Sequence, residues 1–270
     1  MACTAADSSC METEVGCRKL QSLAKRLRCY RPTTSCSFNM SRQIENHENI
    51  LNTSDHSDRA VNSSSTITNK PAASIERRAA VLICLFQGTA GELRVILTKR
   101  SMNLYSHPGE VALPGGKREE GDADDAATAL REAVEEIGLN PALVEVVANL
   151  EPFISQHQLV VAPVVGLLSQ IEDYKPVLNA DEVDAIFDAP LEMFLEEERH
   201  RWEEREWKSW KYSRHLFDYE SEQGDFVIGG LTASILIRAA SIIYQRSPSF
   251  TQHLPDFQEL QKIVQNAVAL

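Results

Sequence analysis

"LPGGKREEGDADDAATALREAVEEIGL", residues 113–139, gathers eight acidic residues around a few small and apolar ones, with two glycines at one end. Read at about 100° per residue, 123–137 forms a helix with Ala127, Leu130, Val134 and Ile137 in one narrow stripe and Glu132, Glu135 and Glu136 on roughly the opposite side. Asp122 or Asp124 suits the N-terminus as a cap and as a match to the helix dipole, and Gly138 suits a left-handed C-terminal cap. Glu132 lies three residues from Glu135 and four from Glu136, so the carboxylates are neighbours on the helix surface. At about 6 Å and an effective dielectric near 20, each like-charged pair costs about 2–3 kcal/mol, and less than about 1 kcal/mol if fully solvated. A bound Mg²⁺ or Mn²⁺ turns that repulsion into coordination, because hard cations prefer carboxylate oxygen. Arg131 can hold Glu135 at i,i+4.

Seen alone, such a helix would read as a solvated face. The glycines alter that reading. Gly115 and Gly116 follow the strand-like "EVALP" and let the backbone pass close to a ligand at the foot of the acidic helix. The loop is not a Walker A sequence, since Lys117 follows the glycines immediately and no Ser or Thr comes after it. Phosphate handling would therefore fall to a metal-binding helix.

Outward from this stretch, "AAVLICLF", "LRVILTK", "VEVVANLEPF" and "LVVAPVVGLL" read as strands. Helical patterns fall around "LEMFLEEER" and at "LTASILIRAASIIYQ", the latter apolar enough to be core or a homodimer contact, with core the default. Strands and helices mixed without regular βαβ alternation predict an α/β protein with a mixed central sheet between helical layers. The predicted domain spans 76–250, followed by a tail over 251–270.

Residues 1–75 read as an extension, largely disordered around "SDHSDRAVNSSSTITNKPAAS". Within it, Leu20, Leu23, Ala24 and Leu27 predict a short amphipathic helix near 18–29 that docks on the body. The sharper alternative is an organellar presequence, because no acidic residue lies between Val15 and Ile44; Asp7, Glu12 and Glu14 speak against it. Five of the six cysteines lie in this extension without a C-x-x-C pair, which suggests free thiols in a reducing compartment.

The formal charge of −12 is uneven: about +3 over residues 1–78 and −15 over the remainder. An acidic body repels nucleic acid backbones. The longest uninterrupted apolar run, 79–86, is far below the roughly 20 residues of a membrane-spanning helix, so a soluble protein without nucleic-acid or membrane partners is expected. The C-terminal "AVAL" is not the usual peroxisomal address, and a cytoplasmic location is expected, with mitochondrial as the alternative.

The helix and its loop resemble the Nudix hydrolase box, G-x5-E-x7-R-E-U-x-E-E-x-G-U. Here the elements are Gly116, Asp122 in place of the first Glu, one inserted residue, and then "REAVEEIGL" from Arg131 to Leu139, with Ala133 where a bulkier aliphatic is common. The upstream "LTKRSMNLYSHPGEVALPGG", residues 97–116, resembles the additional signature of the coenzyme A diphosphatase branch of that family, in which both departures also occur. The likeness extends over about residues 79–245, through "EVDAIFDAPLEMFL" and the apolar helix.

That resemblance implies the Nudix α/β/α sandwich and metal-dependent diphosphate hydrolysis. Glu132, Glu135 and Glu136 would hold Mg²⁺ or Mn²⁺ with help from a carbonyl at Gly115 or Gly116, Glu132 serving as ligand or as base, and Arg131 would steady them. Arg100, Lys99, His107 and Lys117 are the candidate substrate contacts, each weighed against a surface or structural role. Glu182, with Asp181 beside it, offers a distal carboxylate or simply a solvated loop. The run "EEERHRWEEREWKSWKY" offers Trp202, Trp207 or Trp210 to an adenine or acyl group, with a strand and loop with one solvated face as the plainer reading. Coenzyme A or acyl-coenzyme A would yield 3',5'-ADP and the (acyl-)4'-phosphopantetheine. The alternatives are a broader hydrolase of NADH or ADP-ribose, and a Nudix-fold binding module without catalysis, against which the intact Arg131, Glu132, Glu135 and Glu136 argue.

Overall fold

The computed structural model describes residues 19–32, 77–155, 159–207, 209–251 and 254–268. The predicted linker, four of the six cysteines and most of the presequence reading lie outside the described residues. Cys29 and Cys84 are free thiols, the first exposed and the second buried.

The fold is organised around β1 (Arg78–Gln87), whose residues are buried on both faces. Ala79, Ile83 and Leu85 point into one core, while Ala80, Leu82, Cys84 and Phe86 point into another. This two-residue alternation is why the strand reads as one apolar run. β1 pairs parallel with β7 (Val160–Leu168), and antiparallel with β2 (Leu93–Arg100) and with β4 (Gly115–Lys117). The path continues through β3 (Val111–Ala112) beyond β2 and β5 (Val144–Asn149) beyond β7, while β6 (Phe153–Ile154) pairs with β7 and β8 (Val183–Pro190) with β2. The result is a mixed α/β sheet with helices on both faces.

A second, antiparallel sheet of β9 (His200–Trp207), β10 (Trp210–Ser221) and β11 (Gly224–Gly229) follows. β9 is mostly exposed, in keeping with the expected solvated face.

Residues 19–28 form a helix, α1, that buries Leu20, Leu23, Ala24 and Leu27 on the core side. Burying each leucine contributes about 1.5–3 kcal/mol. At its end, Tyr30 Oη donates to Glu151 Oε1 at 2.6 Å, and Arg238 donates to the same oxygen at 2.9 Å. Arg238 belongs to α3 (Gly230–Tyr244), which buries Ala233, Ile235, Leu236, Ala239, Ala240 and Ile243. The apolar helix is thus core.

Three local expectations need correction. The helical pattern at "LEMFLEEER" shrinks to a 3-10 segment, Leu191–Leu195, because the acidic run after it has no apolar face to bury and the chain turns into β9. In the acidic helix, α2 (Asp125–Ile137), the buried side is made of Thr128, Ala129, Ala133, Glu136 and Ile137 rather than of Val134, which is 42% exposed. Small residues let the helix axis approach the sheet, so close packing, not the largest side chains, sets its orientation. The C-terminal residues taken as a tail include a helix, α4 (Phe257–Val268), begun by a reciprocal capping box: Glu259 N–H donates to Asp256 Oδ1 at 2.8 Å and Asp256 N–H to Glu259 Oε2 at 3.2 Å. "DFQE" carries that signature in the sequence.

Candidate active site

α2 begins at Asp124, whose carboxylate accepts from Ala127 N–H at 2.8 Å, and ends at Gly138 in the left-handed conformation. Asp122 does something else. It accepts from Arg131 Nε at 3.1 Å, from Thr128 Oγ1 at 2.9 Å and from Glu119 N–H at 2.9 Å. Hydrogen bonding from Arg131 above all holds its carboxyl well below the usual range. Arg131 further donates to Glu135 at 3.0 Å and to the Lys117 carbonyl at 2.9 Å, and lies 3.1 Å from Glu132. The arginine therefore ties the helix to the glycine turn that precedes it.

Tilting α2 toward the sheet decides which carboxylates converge. Glu132 and Glu136 are about 40° apart around the helix, whereas Glu135 is about 100° from Glu136. Glu136 falls on the buried side, 4% exposed, and accepts from Gly115 N–H at 3.1 Å. Glu132 lies over Gly116, where an added Cβ would stand 2.3 Å from the carboxylate. At Gly115 a Cβ would meet the Ala80 carbonyl at 2.4 Å. Close backbone approach requires glycine at 115, whereas at 116 it is the movable end of Glu132 that would have to give way.

The third carboxylate comes from the loop before β8. The last carbonyls of α2 lack helical donors, and the loop supplies them: Asn179 N–H donates to Glu136 O and Val177 N–H to Ile137 O, each at 3.1 Å. Asn179 Nδ2 then donates to Glu182 Oε1 at 3.3 Å. One oxygen each from Glu132, Glu136 and Glu182 lies within 4.8 Å of the others. Asp181 is exposed, outside this group. Glu135 is also outside it, half-exposed and paired with Arg131.

Such crowding is felt electrostatically. Burial, and then the charges of Glu132 and Glu182, push Glu136 up to about 7 against the opposing Gly115 hydrogen bond and Arg100. Glu132 is raised too, chiefly by burial. Three convergent carboxylate oxygens, two of them on groups reluctant to ionise without compensation, match the donor set of a hard divalent cation.

Arg100 reaches this centre from the end of β2, where the register with β8 shifts between Lys99 and Arg100. A bulge re-aims a side chain, and here the Arg100 charge acts on Glu136 while its buried Nε has no hydrogen-bond partner among the described residues. Lys99 is half-buried within β2, and the Lys117 side chain is exposed. His107 adopts φ 55° and meets Glu110 at 3.0 Å, on the loop that leads into β3. Trp202 and Trp210 are exposed, and Trp207 packs edge-on against Phe257.

A mixed sheet between helices, with acidic groups and a glycine turn converging at one end, defines an α/β protein whose carboxylate cluster matches the donor set of a divalent cation. Residues 76–213 match the NUDIX domain. The chain is 48% identical over 255 residues to the Nudix hydrolase 22, chloroplastic, of Arabidopsis thaliana, covering 94% of this chain and 83% of that protein. It is 59% identical over 182 residues to the Nudix hydrolase 15, mitochondrial, of the same species, covering 67% of this chain and 64% of that protein, just under two thirds of its length. Against the peroxisomal coenzyme A diphosphatase of Mus musculus it is 41% identical over 162 residues, covering 59% of this chain and 68% of that protein. The chain belongs to the Nudix family. It is a Nudix hydrolase, an enzyme of diphosphate-type anhydrides in a family that works with divalent metal ions.

Proposed function

We propose that this chain hydrolyses the diphosphate of coenzyme A or its acyl forms, releasing 3',5'-ADP and the corresponding 4'-phosphopantetheine. The observation that carries this reading is the stretch 97–116: it resembles the coenzyme A signature, and it runs through β2, the His107 loop and β3 into the glycines packed under Glu132 and Glu136. The 41% identity to the mouse coenzyme A diphosphatase supports it.

Glu132, Glu136 and Glu182 would hold Mg²⁺ or Mn²⁺, with Glu135 able to join by leaving Arg131. A divalent ion held there would supply charge neutralisation for the diphosphate and would lower the pKa of a bound water. Glu132 takes the water's proton or completes the ligand set. Arg100, with an unused Nε, binds the diphosphate oxygens. Arg131 and Asp122 keep the helix fixed on the turn, so the carboxylates stay positioned.

Product analysis with coenzyme A, a short acyl-coenzyme A, NADH and ADP-ribose, each with Mg²⁺, Mn²⁺ or EDTA, tests the reading. Metal-dependent 3',5'-ADP from the coenzyme A substrates, well ahead of the others, is the expected result. Faster turnover of NADH or ADP-ribose would reject it in favour of a broader hydrolase, and tight binding without turnover would point to a binding module.

No helix among the described residues is long and apolar enough to cross a membrane. A cytoplasmic location belongs to this reading, with an organelle as the alternative: α1 packs into the core, so a leader that leaves the fold intact would end before it, and the two plant relatives are named mitochondrial and chloroplastic. Imaging of the full chain with a C-terminal fluorescent tag tests this; mitochondrial signal would overturn it.

A further inference from the structure

The His107 loop, β10, α3 and α4 enclose a cavity of about 410 Å³, within the size range of small-molecule sites. Its walls include His107 and Glu110, Arg214 of β10, Gly230 of α3, and Phe257 and Gln258 of α4.

The C-terminal segment is fastened across one side. Ser213 N–H donates to Pro255 O at 2.9 Å. The Gln258 side-chain amide accepts from Ile154 N–H at 3.1 Å and donates to Ile154 O at 3.0 Å, imitating a strand partner. Phe257 packs against Trp207 and Tyr212, with ring centroids 5.4 and 5.1 Å away.

Arg214 is the unusual member of this lining. Its side chain is only 30% exposed, yet it makes no hydrogen bond among the described residues; the acidic atom it pairs with, Glu110 Oε1, is 3.8 Å away. The residue facing it across the strands, Glu203, is engaged by Arg205 at 2.6 Å. Gly230 leaves room for the guanidinium, since a Cβ there would stand 3.3 Å from Arg214 Nε. A planar fork of donors, half-buried over a cavity and paired with Glu110 at 3.8 Å rather than hydrogen-bonded to it, is the chemistry that reads a phosphate bidentately. One lining residue also links the cavity to the reaction centre. Glu110 O accepts from Arg100 N–H at 2.9 Å, and the Arg100 charge acts on Glu136.

We propose that this cavity receives the part of the substrate remote from the reacting diphosphate, and that Arg214 binds a phosphate monoester carried there. This rests on the coenzyme A reading: coenzyme A bears such a monoester on its ribose, while NADH and ADP-ribose do not. Arg214 is then a specificity-determining residue that separates coenzyme A from other diphosphates.

The test is kcat/KM of the full chain with Mg²⁺ on coenzyme A and on 3'-dephospho-coenzyme A, for the unaltered enzyme, Arg214→Gln and Glu110→Gln. The unaltered enzyme should prefer coenzyme A about 10- to 100-fold, the range of a charged hydrogen-bonded contact. Arg214→Gln should bring the ratio close to one, mostly through KM, while Glu110→Gln keeps the preference. If Arg214→Gln melts early, Arg214→Lys retains the charge without the fork and should show an intermediate ratio. A ratio near one in the unaltered enzyme, an undiminished ratio in Arg214→Gln, or the same collapse in Glu110→Gln overturns the proposal while the diphosphatase reading stands. Hydrolysis of NADH or ADP-ribose with none of either coenzyme A form overturns both.

Discussion

Glu136 illustrates how a single residue can be costly to the fold and necessary to the reaction. Its carboxylate is 4% exposed and held by one backbone N–H, with Glu132 and Glu182 close by. Glu136→Gln keeps an acceptor for Gly115 and removes the charge. We expect kcat to fall by about 10²- to 10⁴-fold while the thermal midpoint stays level or rises. Steady-state kinetics beside a melting curve checks both, and near-normal turnover would remove Glu136 from the metal site. Gly116→Ala is a subtler probe, because its Cβ meets the movable end of the Glu132 side chain. The enzyme should fold, with Glu132 displaced and kcat reduced at least 10-fold; crystal coordinates of the variant would reveal the displacement, and unaltered kinetics would argue against this placement of Glu132. At this scale the sequence was legible for residue types and spacing. It could not say that Glu136 rather than Glu135 is buried, because that depends on how the helix is rolled against the sheet.

Among the elements, α1 is the clearest case of a reading made from periodicity. Leu20, Leu23, Ala24 and Leu27 are spaced for one helix face, and that face is the one buried. Leu27, 2% exposed, should cost about 2–5 kcal/mol when cut to alanine; denaturant unfolding measures it, and a loss below about 1 kcal/mol would mean that α1 is loosely docked. The end of the helix adds a pH dependence. Burial alone would raise Glu151, but hydrogen bonds from Tyr30 and Arg238 outweigh that and hold it at about 2. A carboxyl depressed in the folded state stabilises fully above its unfolded value near 4.5 and loses that contribution as pH falls toward 2. Hydrogen exchange of residues 19–32 should therefore quicken between pH 4.5 and 2, beyond the intrinsic pH dependence, and less so in Tyr30→Phe. The loop before β8 was legible only as a carboxylate-bearing turn. Its amides find the bare carbonyls at the end of α2, a pairing over about forty residues of chain that local patterns do not encode.

Across the whole molecule, the second sheet meets the core at a pair of histidines. His200 Nε2 and His215 Nδ1 are 2.9 Å apart, and His200 stacks on Phe250. Burial first, then the charge of His215, lowers His200 to about 4. His215 is lowered by burial, against an opposing pull from Asp256. Between about 6.5 and 4 the unfolded chain takes up protons that the folded one resists, so stability present at pH 7 is lost as pH falls through that window. We expect the melting temperature to drop from pH 7 to pH 5, with a smaller drop in His200→Gln; equal slopes for the two proteins would assign the acid sensitivity elsewhere.

The sequence by itself determined the mixed α/β layering, the acidic helix with its glycine turn, the amphipathic α1 and the family likeness, because each is written in spacing over a few to about twenty residues. Only the tertiary structure decided that Ala129 and Ala133 bring α2 onto the sheet, that Glu132, Glu136 and Glu182 converge while Glu135 stands apart, and that the C-terminal residues wall a cavity under Arg214. Those outcomes are set by close packing and by long-range satisfaction of backbone groups, which couple residues far apart in the chain.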